Sequence, residues 1–275
     1  MSGLAWSVIA LAGLALLLAG CGNIGTKLAN LPVRFSDEQV NRNVSYGPEA
    51  WQKLDLYYPE QSEKQSLPVI LFFYGGRWTD GSKAQYAFVA DRFTKLGYAV
   101  AIADYAKYPH VKFPTFVEDV AAAIAYLHAQ ADKWQLDAGR LFVLGHSSGA
   151  HIGALAITDP HYLRQAGCTR GCVAGFAGLA GPYAFTPEEE DLKDMFGPPE
   201  RYPHMQVPNF VDGKQPPMLL LYGDKDDIVG AFNHQRLAQM IEQTGGQVTV
   251  KRYANLNHIS LAGSLSWIYD QKAPV

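Results

Sequence analysis

The sequence predicts an α/β fold, a mostly parallel sheet with helices on both faces, and three observations carry that expectation. Short apolar runs alternate with amphipathic stretches along most of the chain, as buried strands and the helices that connect them do. The run Leu141-Phe142-Val143-Leu144 leads straight into Gly145-His146-Ser147-Ser148-Gly149, the G-x-S-x-G pattern of a strand that turns sharply into a helix. At 275 residues with 48% hydrophobic composition, the chain can bury one sizeable core, and a second globular domain is unnecessary.

The elements follow in order. Residues 53–58 alternate and read as the first strand, while residues 69–73 and 99–104 are continuous apolar runs that suit strands buried on both faces. Between the last two, residues 86–95 have helical spacing, as do residues 116–131 further on. Residues 141–144 form the strand before the glycine motif, and the small apolar stretch 149–158 suits a helix packed on the sheet. Residues 173–179, 218–222 and 248–253 complete the strands, with helices over 232–243 and 259–269. Between Thr186 and Val211 the chain turns irregular, with Pro187, Pro198, Pro199, Pro203 and Pro208 and an acidic run, which suits a short cap insertion.

Only Ser147 sits between two glycines at the required spacing. Ser148 would be flanked by His146 and Ala150, whose side chains would crowd the turn. Such a turn exposes a serine hydroxyl for nucleophilic attack on an acyl carbonyl. The strand over 69–73 ends in Tyr74-Gly75-Gly76-Arg77-Trp78, where paired glycines let the main chain approach a developing oxyanion. The candidate donors are the backbone N–H groups of Gly76, Arg77 and Ser148. Downstream, the strand over 218–222 runs into Gly223-Asp224-Lys225-Asp226-Asp227, and His258 falls in the loop after the last strand. The order Ser, Asp, His is thereby complete, with Asp224, Asp226 and Asp227 competing for the acid. Of the 8 histidines, His146 and His151 lie beside the nucleophile on the elbow and its helix, where burial or support is expected, and His234 is expected on a solvated helix face. No H-E-x-x-H or C-x-x-C pattern marks a metal site, so no metal is expected.

Tyr74-Gly75-Gly76-Arg77-Trp78-Thr79-Asp80-Gly81-Ser82-Lys83 resembles the H-G-G-x-W-x-x-G-x-K loop of α/β-hydrolase fold carboxylesterases, in the branch containing kynurenine formamidases and isoprenylcysteine methylesterases. Asp104-Tyr105, Tyr108-Pro109, Phe113-Pro114 and Glu118-Asp119-Val120 resemble a second segment of the same group, and Ser148-Gly149-Ala150-His151-Ile152 resembles its helix start. Tyr74 stands where histidine is commoner, Ala106 where arginine is usual, and Ser148 where alanine is usual. The resemblance implies an α/β-hydrolase fold and a cofactor-free serine carboxylesterase acting on small-molecule esters, with Ser147 as nucleophile and His258 as base. The D-x-x-V spacing of that group makes Asp226 the first choice of acid, Asp227 the second and Asp224 the third. An arylformamidase or other amidase using the same triad is the alternative, and a catalytically silent binding module is a further one.

Residues 4–19 carry no charge and end in Leu18-Ala19-Gly20-Cys21, which resembles a bacterial lipobox with Cys21 as the lipidated residue. The expected organisation is a signal peptide over 1–20, a tether over 21–40 and the hydrolase domain over 41–275, on the periplasmic face of the outer membrane. In such an oxidising compartment Cys168 and Cys172 are placed to close a small disulfide loop, two reduced thiols near the start of a strand being the alternative. With 23 basic and 26 acidic residues the net charge is −3 and no basic patch appears, which argues against nucleic acid as a partner.

Overall fold

The structure is a computed structural model that describes residues 25–31, 39–60 and 66–269; the expected signal peptide and Cys21 lie outside the described residues. Its strands are β1 (Val40–Ser45), β2 (Lys53–Tyr57), β3 (Leu67–Phe73), β4 (Ala99–Ala103), β5 (Leu136–His146), β6 (Gly175–Leu179), β7 (Met218–Gly223) and β8 (Val248–Tyr253). Its helices are α1 (Ala87–Thr94), α2 (Thr115–Ala129), α3 (Ser148–Thr158), α4 (Pro160–Gln165), α5 (Glu190–Phe196), α6 (Phe232–Gln243) and α7 (His258–Gly263). The strands form one 8-stranded sheet in the order β1-β2-β4-β3-β5-β6-β7-β8. The β1–β2 and β2–β4 pairs are antiparallel and the remaining pairs are parallel. This is the α/β-hydrolase architecture, with helices on both faces.

Register decides which face each helix covers. Leu71 pairs with Val143 and Val143 with Phe176, so these residues point to one side, while Ile70 and its partner Phe142 point to the other. The helix α3 lies on the Val143 side, so close that a Cβ added at Gly153 would stand 3.2 Å from the Phe176 ring and 3.3 Å from Val143. On the opposite side, α1 and Leu265 line an apolar cavity of about 630 Å³ against Phe142 and Leu219.

Several elements depart from the sequence expectation, each for a local reason. The polar edge strand β1 carries no apolar alternation; it is held by Asp55, which accepts the Asn43 N–H at 2.7 Å, and its register shifts between Asn41 and Val44. The strand β5 begins at Leu136 rather than 141, because Leu67 pairs with Leu136 ahead of a solvated polar stretch. The last helix stops at Gly263 instead of running to 269. The irregular insertion contains one short α-helix, α5, and two 3-10 helices, Pro199–His204 and Val207–Phe210. Residues 25–31, expected within the tether, pack on the domain through Asn30, whose side chain accepts the Phe88 N–H at 2.8 Å.

His234 is also placed differently. It is buried rather than solvated, with its ring 4.4 Å from that of Tyr222, because α6 turns it onto β7; burial pushes its pKa below the ordinary value. Cys168 and Cys172 are joined as a disulfide between α4 and β6, with a Cα–Cα distance of 6.3 Å. His128 offers a ligand nitrogen within 4.8 Å of both sulfurs, but the disulfide occupies those sulfurs.

Asp119 on α2 ties two other segments to that helix. Its carboxylate accepts Trp51 Nε1–H at 3.1 Å, Gln52 Nε2–H at 2.7 Å and the Ala106 N–H at 2.7 Å. Burial raises its pKa, and those hydrogen bonds oppose the rise. Removing the carboxylate leaves buried donors without a partner. Asp119→Ala is therefore expected to lower the unfolding free energy by about 3 kcal/mol, read from urea denaturation.

Candidate active site

Close backbone packing builds the elbow. A Cβ at Gly145 would stand 2.6 Å from the Ala150 Cα, and one at Gly149 would stand 2.5 Å from the Tyr74 carbonyl oxygen. Any side chain at either position would push α3 off the sheet, which is the physical content of G-x-S-x-G. Between the glycines, Ser147 takes φ 53° and ψ −122°, a conformation that L-residues rarely adopt. It is pinned there by its own N–H, donated to the Leu179 carbonyl at 2.9 Å, and by its carbonyl, which accepts the His151 N–H at 3.1 Å. The side chain remains half-exposed.

The glycine-rich loop after β3 closes over the elbow. A Cβ at Gly75 would lie 2.9 Å from the Ser147 Cβ, and Gly76 takes φ 142°. Among the described hydrogen bonds, the N–H groups of Gly76, Arg77 and Ser148 are engaged in none, so the three expected donors are free for an oxyanion. Tyr74 anchors this loop. Its hydroxyl donates to Asp104 Oδ1 at 2.7 Å, and the same oxygen accepts the Lys83 N–H at 2.8 Å. Tyr105 stacks on Tyr74 at 5.0 Å and donates its hydroxyl to the Tyr74 carbonyl at 3.0 Å.

The candidate acid and base meet at the ends of β7 and β8. His258 Nδ1 lies 2.9 Å from Asp226 Oδ2, while Asp226 Oδ1 accepts the N–H groups of Ile228 and Val229, both at 2.9 Å. The bond to Val229 gives the D-x-x-V spacing its reason. Burial raises the Asp226 pKa, but the imidazole and those N–H groups outweigh burial and hold the carboxyl below its ordinary value. As an anion it accepts the Nδ1 proton, which leaves His258 Nε2 as the nitrogen able to take a proton. Asp224 is engaged by Arg252 Nε at 2.7 Å, and Asp227 is exposed. His258 opens α7 instead of lying in a free loop, because Asn257 caps that helix by accepting the Ser260 N–H at 2.8 Å.

Sequence reasoning foresaw burial or support for His146 and missed the particular bond it makes. Its Nε2 donates to the His258 carbonyl at 3.1 Å, and the two rings are 4.9 Å apart. Burial, helped by His258, depresses its pKa to about 3, so the ring is neutral. It thereby ties the His258 backbone to the residue that precedes Ser147. His151, also buried, donates Nε2–H to the Met205 carbonyl at 2.7 Å and holds the insertion onto α3. Arg77 forms ion pairs with Glu189 and Asp191, so the insertion also grips the candidate oxyanion loop. Among the described residues no hydrogen bond joins the Ser147 hydroxyl to His258, whose Nδ1 faces Asp226.

The chain's similarities agree with this arrangement. Residues 114–272 match the prolyl oligopeptidase family, and residues 54–165 match the family described as BD-FAE. A probable isoprenylcysteine alpha-carbonyl methylesterase of Oryza sativa is 27% identical over 82% of this chain and 59% of its own length. Esterase LipC of Mycobacterium tuberculosis is 30% identical over 68% of this chain and 51% of its own length. The chain thus spans between half and three fifths of these two relatives. A truncated carbohydrate esterase from gut microbiota superposes with a TM-score of 0.72 at 22% identity, covering 84% of this chain and 92% of that one, which is a likeness of fold.

The three aspartates can be separated by their surroundings. With an ester substrate, Asp226→Asn is expected to lower kcat by on the order of 10³-fold or more, since the amide no longer fixes the Nδ1–H tautomer, whereas Asp227→Asn should change it less than about threefold. Steady-state kinetics of the two variants check this, and an inverted ranking would reassign the acid.

Proposed function

We propose that this chain, which belongs to the prolyl oligopeptidase family of α/β-hydrolases, is a serine carboxylesterase that forms an acyl-enzyme on Ser147. The observation that supports this most is the conjunction at one end of the sheet. A strained, half-exposed serine lies beside unengaged N–H groups, and a histidine nearby has its tautomer set by a carboxylate that is fully buried. The named relatives are esterases and methylesterases, which favours an ester bond over a peptide.

In this reading His258 Nε2 takes the Ser147 proton as Oγ attacks the ester carbonyl. The N–H groups of Ser148, Gly76 and Arg77 stabilise the oxyanion, each such donor contributing roughly 10²-fold or more to the rate. The imidazolium then protonates the departing alcohol. Water, deprotonated by the same nitrogen, releases the acid and restores Ser147.

A fluorophosphonate probe should label the wild type and Ser148→Ala but not Ser147→Ala. Label on Ser148 in place of Ser147 would reassign the nucleophile. Rates on p-nitrophenyl acetate and on N-formylkynurenine then decide between ester and activated amide, with the ester expected to be the faster.

The lipobox-like sequence supports a lipid anchor on Cys21 and a place at the envelope membrane as part of the same proposal. Among the described residues no helix is long and apolar enough to cross a membrane. Expressed in a Gram-negative host, the full chain should partition with membranes. Cys21→Ser should accumulate as a larger precursor, and normal processing of that variant would remove the lipid anchor from the proposal.

A further inference from the structure

Residues 25–31 are docked by bonds that a passive tether would not make. The helix α1 lacks a side-chain cap of its own at Tyr86. Asn30 supplies one from a distance, accepting the Phe88 N–H at 2.8 Å while its amide donates to the Gln85 carbonyl at 3.0 Å. From the other side, Trp267 Nε1 donates to the Leu28 carbonyl at 3.2 Å, and Ala29 is buried. The segment is thereby held between α1 and the turn that follows α7.

Docking in this way walls a cavity of about 440 Å³. Its lining brings Ala29, Phe88, Ile259 and Ala262 together with Gly75 and Gly76 of the candidate oxyanion loop and with His146, the residue before Ser147. The volume lies within the range of about 300–1,000 Å³ usual for ligand pockets. The surface around its mouth is apolar as well: Leu28, Ile259, Trp267 and Ile268 are all large, exposed hydrophobic residues. Such a grouping on a soluble surface marks a place where an apolar partner arrives. Cys21 precedes Gly25 by four residues, at most about 14 Å of chain, so a lipid on Cys21 would hold this mouth at a membrane surface.

We infer that this cavity receives the hydrocarbon chain of an amphiphilic ester presented at a lipid surface, and that residues 25–31 are one of its walls. The inference rests on the esterase reading and names its substrate class. Chain length becomes the specificity determinant, because most of the lining surface is apolar, with Asp80, Gln85 and His146 among the polar exceptions. Each methylene that enters is worth about fourfold in kcat/KM when fully buried.

Two ester series on the full-length protein, assayed in detergent micelles, test this. One varies the acyl group from p-nitrophenyl acetate through the hexanoate to the decanoate, and the other varies the alcohol from methyl to octyl acetate. In one of the two series kcat/KM should rise at least tenfold with length, which also tells whether the acyl or the alcohol side enters. Ala29→Phe and Ala262→Phe fill the cavity. Each should abolish that rise while leaving the rate on the shortest ester within about twofold. Asn30→Ala, which loosens the wall, should reduce the rise without changing the rate on the shortest ester.

A flat profile in both series, or a rise that neither filling variant alters, overturns the inference while the esterase reading stands. Failure of the esterase reading looks different: no ester is turned over and the fluorophosphonate does not label Ser147. That result would remove both.

Discussion

Three backbone segments meet at Gly149 with no space for a side chain, and the rest of the site depends on that contact. The end of β3, the end of β5 and the start of α3 come so close that a Cβ at Gly149 would overlap the carbonyls of Phe73 and Tyr74. The contact sets the angle at which α3 leaves the sheet, and the angle forces Ser147 to φ 53°. Strain of this kind, typically about 1–3 kcal/mol, persists only where surrounding bonds over-determine it. Here they do so through both backbone groups of Ser147 and through the burial of α3 along its whole length.

The loop facing the elbow is held by a buried aromatic and carboxylate cluster. Tyr74 reaches Asp104, which also fixes the Lys83 N–H, and Lys83 in turn lies 3.2 Å from Asp55 on β2. A tyrosine therefore connects the glycine loop to β4 by a hydrogen bond from a position where histidine is commoner in the group this chain resembles. The insertion grips the same loop from outside. Arg77 pairs with its acidic residues, and Trp78 packs edge-on against His151 at 5.3 Å and Phe196 at 5.0 Å. Exposed ion pairs such as those of Arg77 contribute little stability, so the aromatic contacts carry most of this attachment.

The aspartates of the 224–227 segment differ in where each one ends up. Asp226 lies within reach of two backbone N–H groups and an imidazole, whereas Asp224 faces a solvated arginine. The His258 side is held as firmly. Asn257 caps α7 and His146 holds the His258 carbonyl, so the imidazole is positioned from both neighbouring segments.

The sequence by itself determined the α/β class, the parallel core strands and the likeness of Ser147, Asp226 and His258 to a triad. Apolar runs and glycine spacing are local consequences of burial and backbone crowding, and a linear pattern records them directly. Elements whose stability comes from distant partners left no such pattern. The polar strand β1 exists because β2 offers an edge and Asp55 a hydrogen bond, and His234 is buried because β7 lies under its helix. The bond from His146 to the His258 carbonyl and the docking of residues 25–31 on α1 join residues far apart in the chain. Only the tertiary structure could decide these, since a hydrogen bond between remote segments depends on where the fold brings their ends and imposes no spacing on the sequence between them.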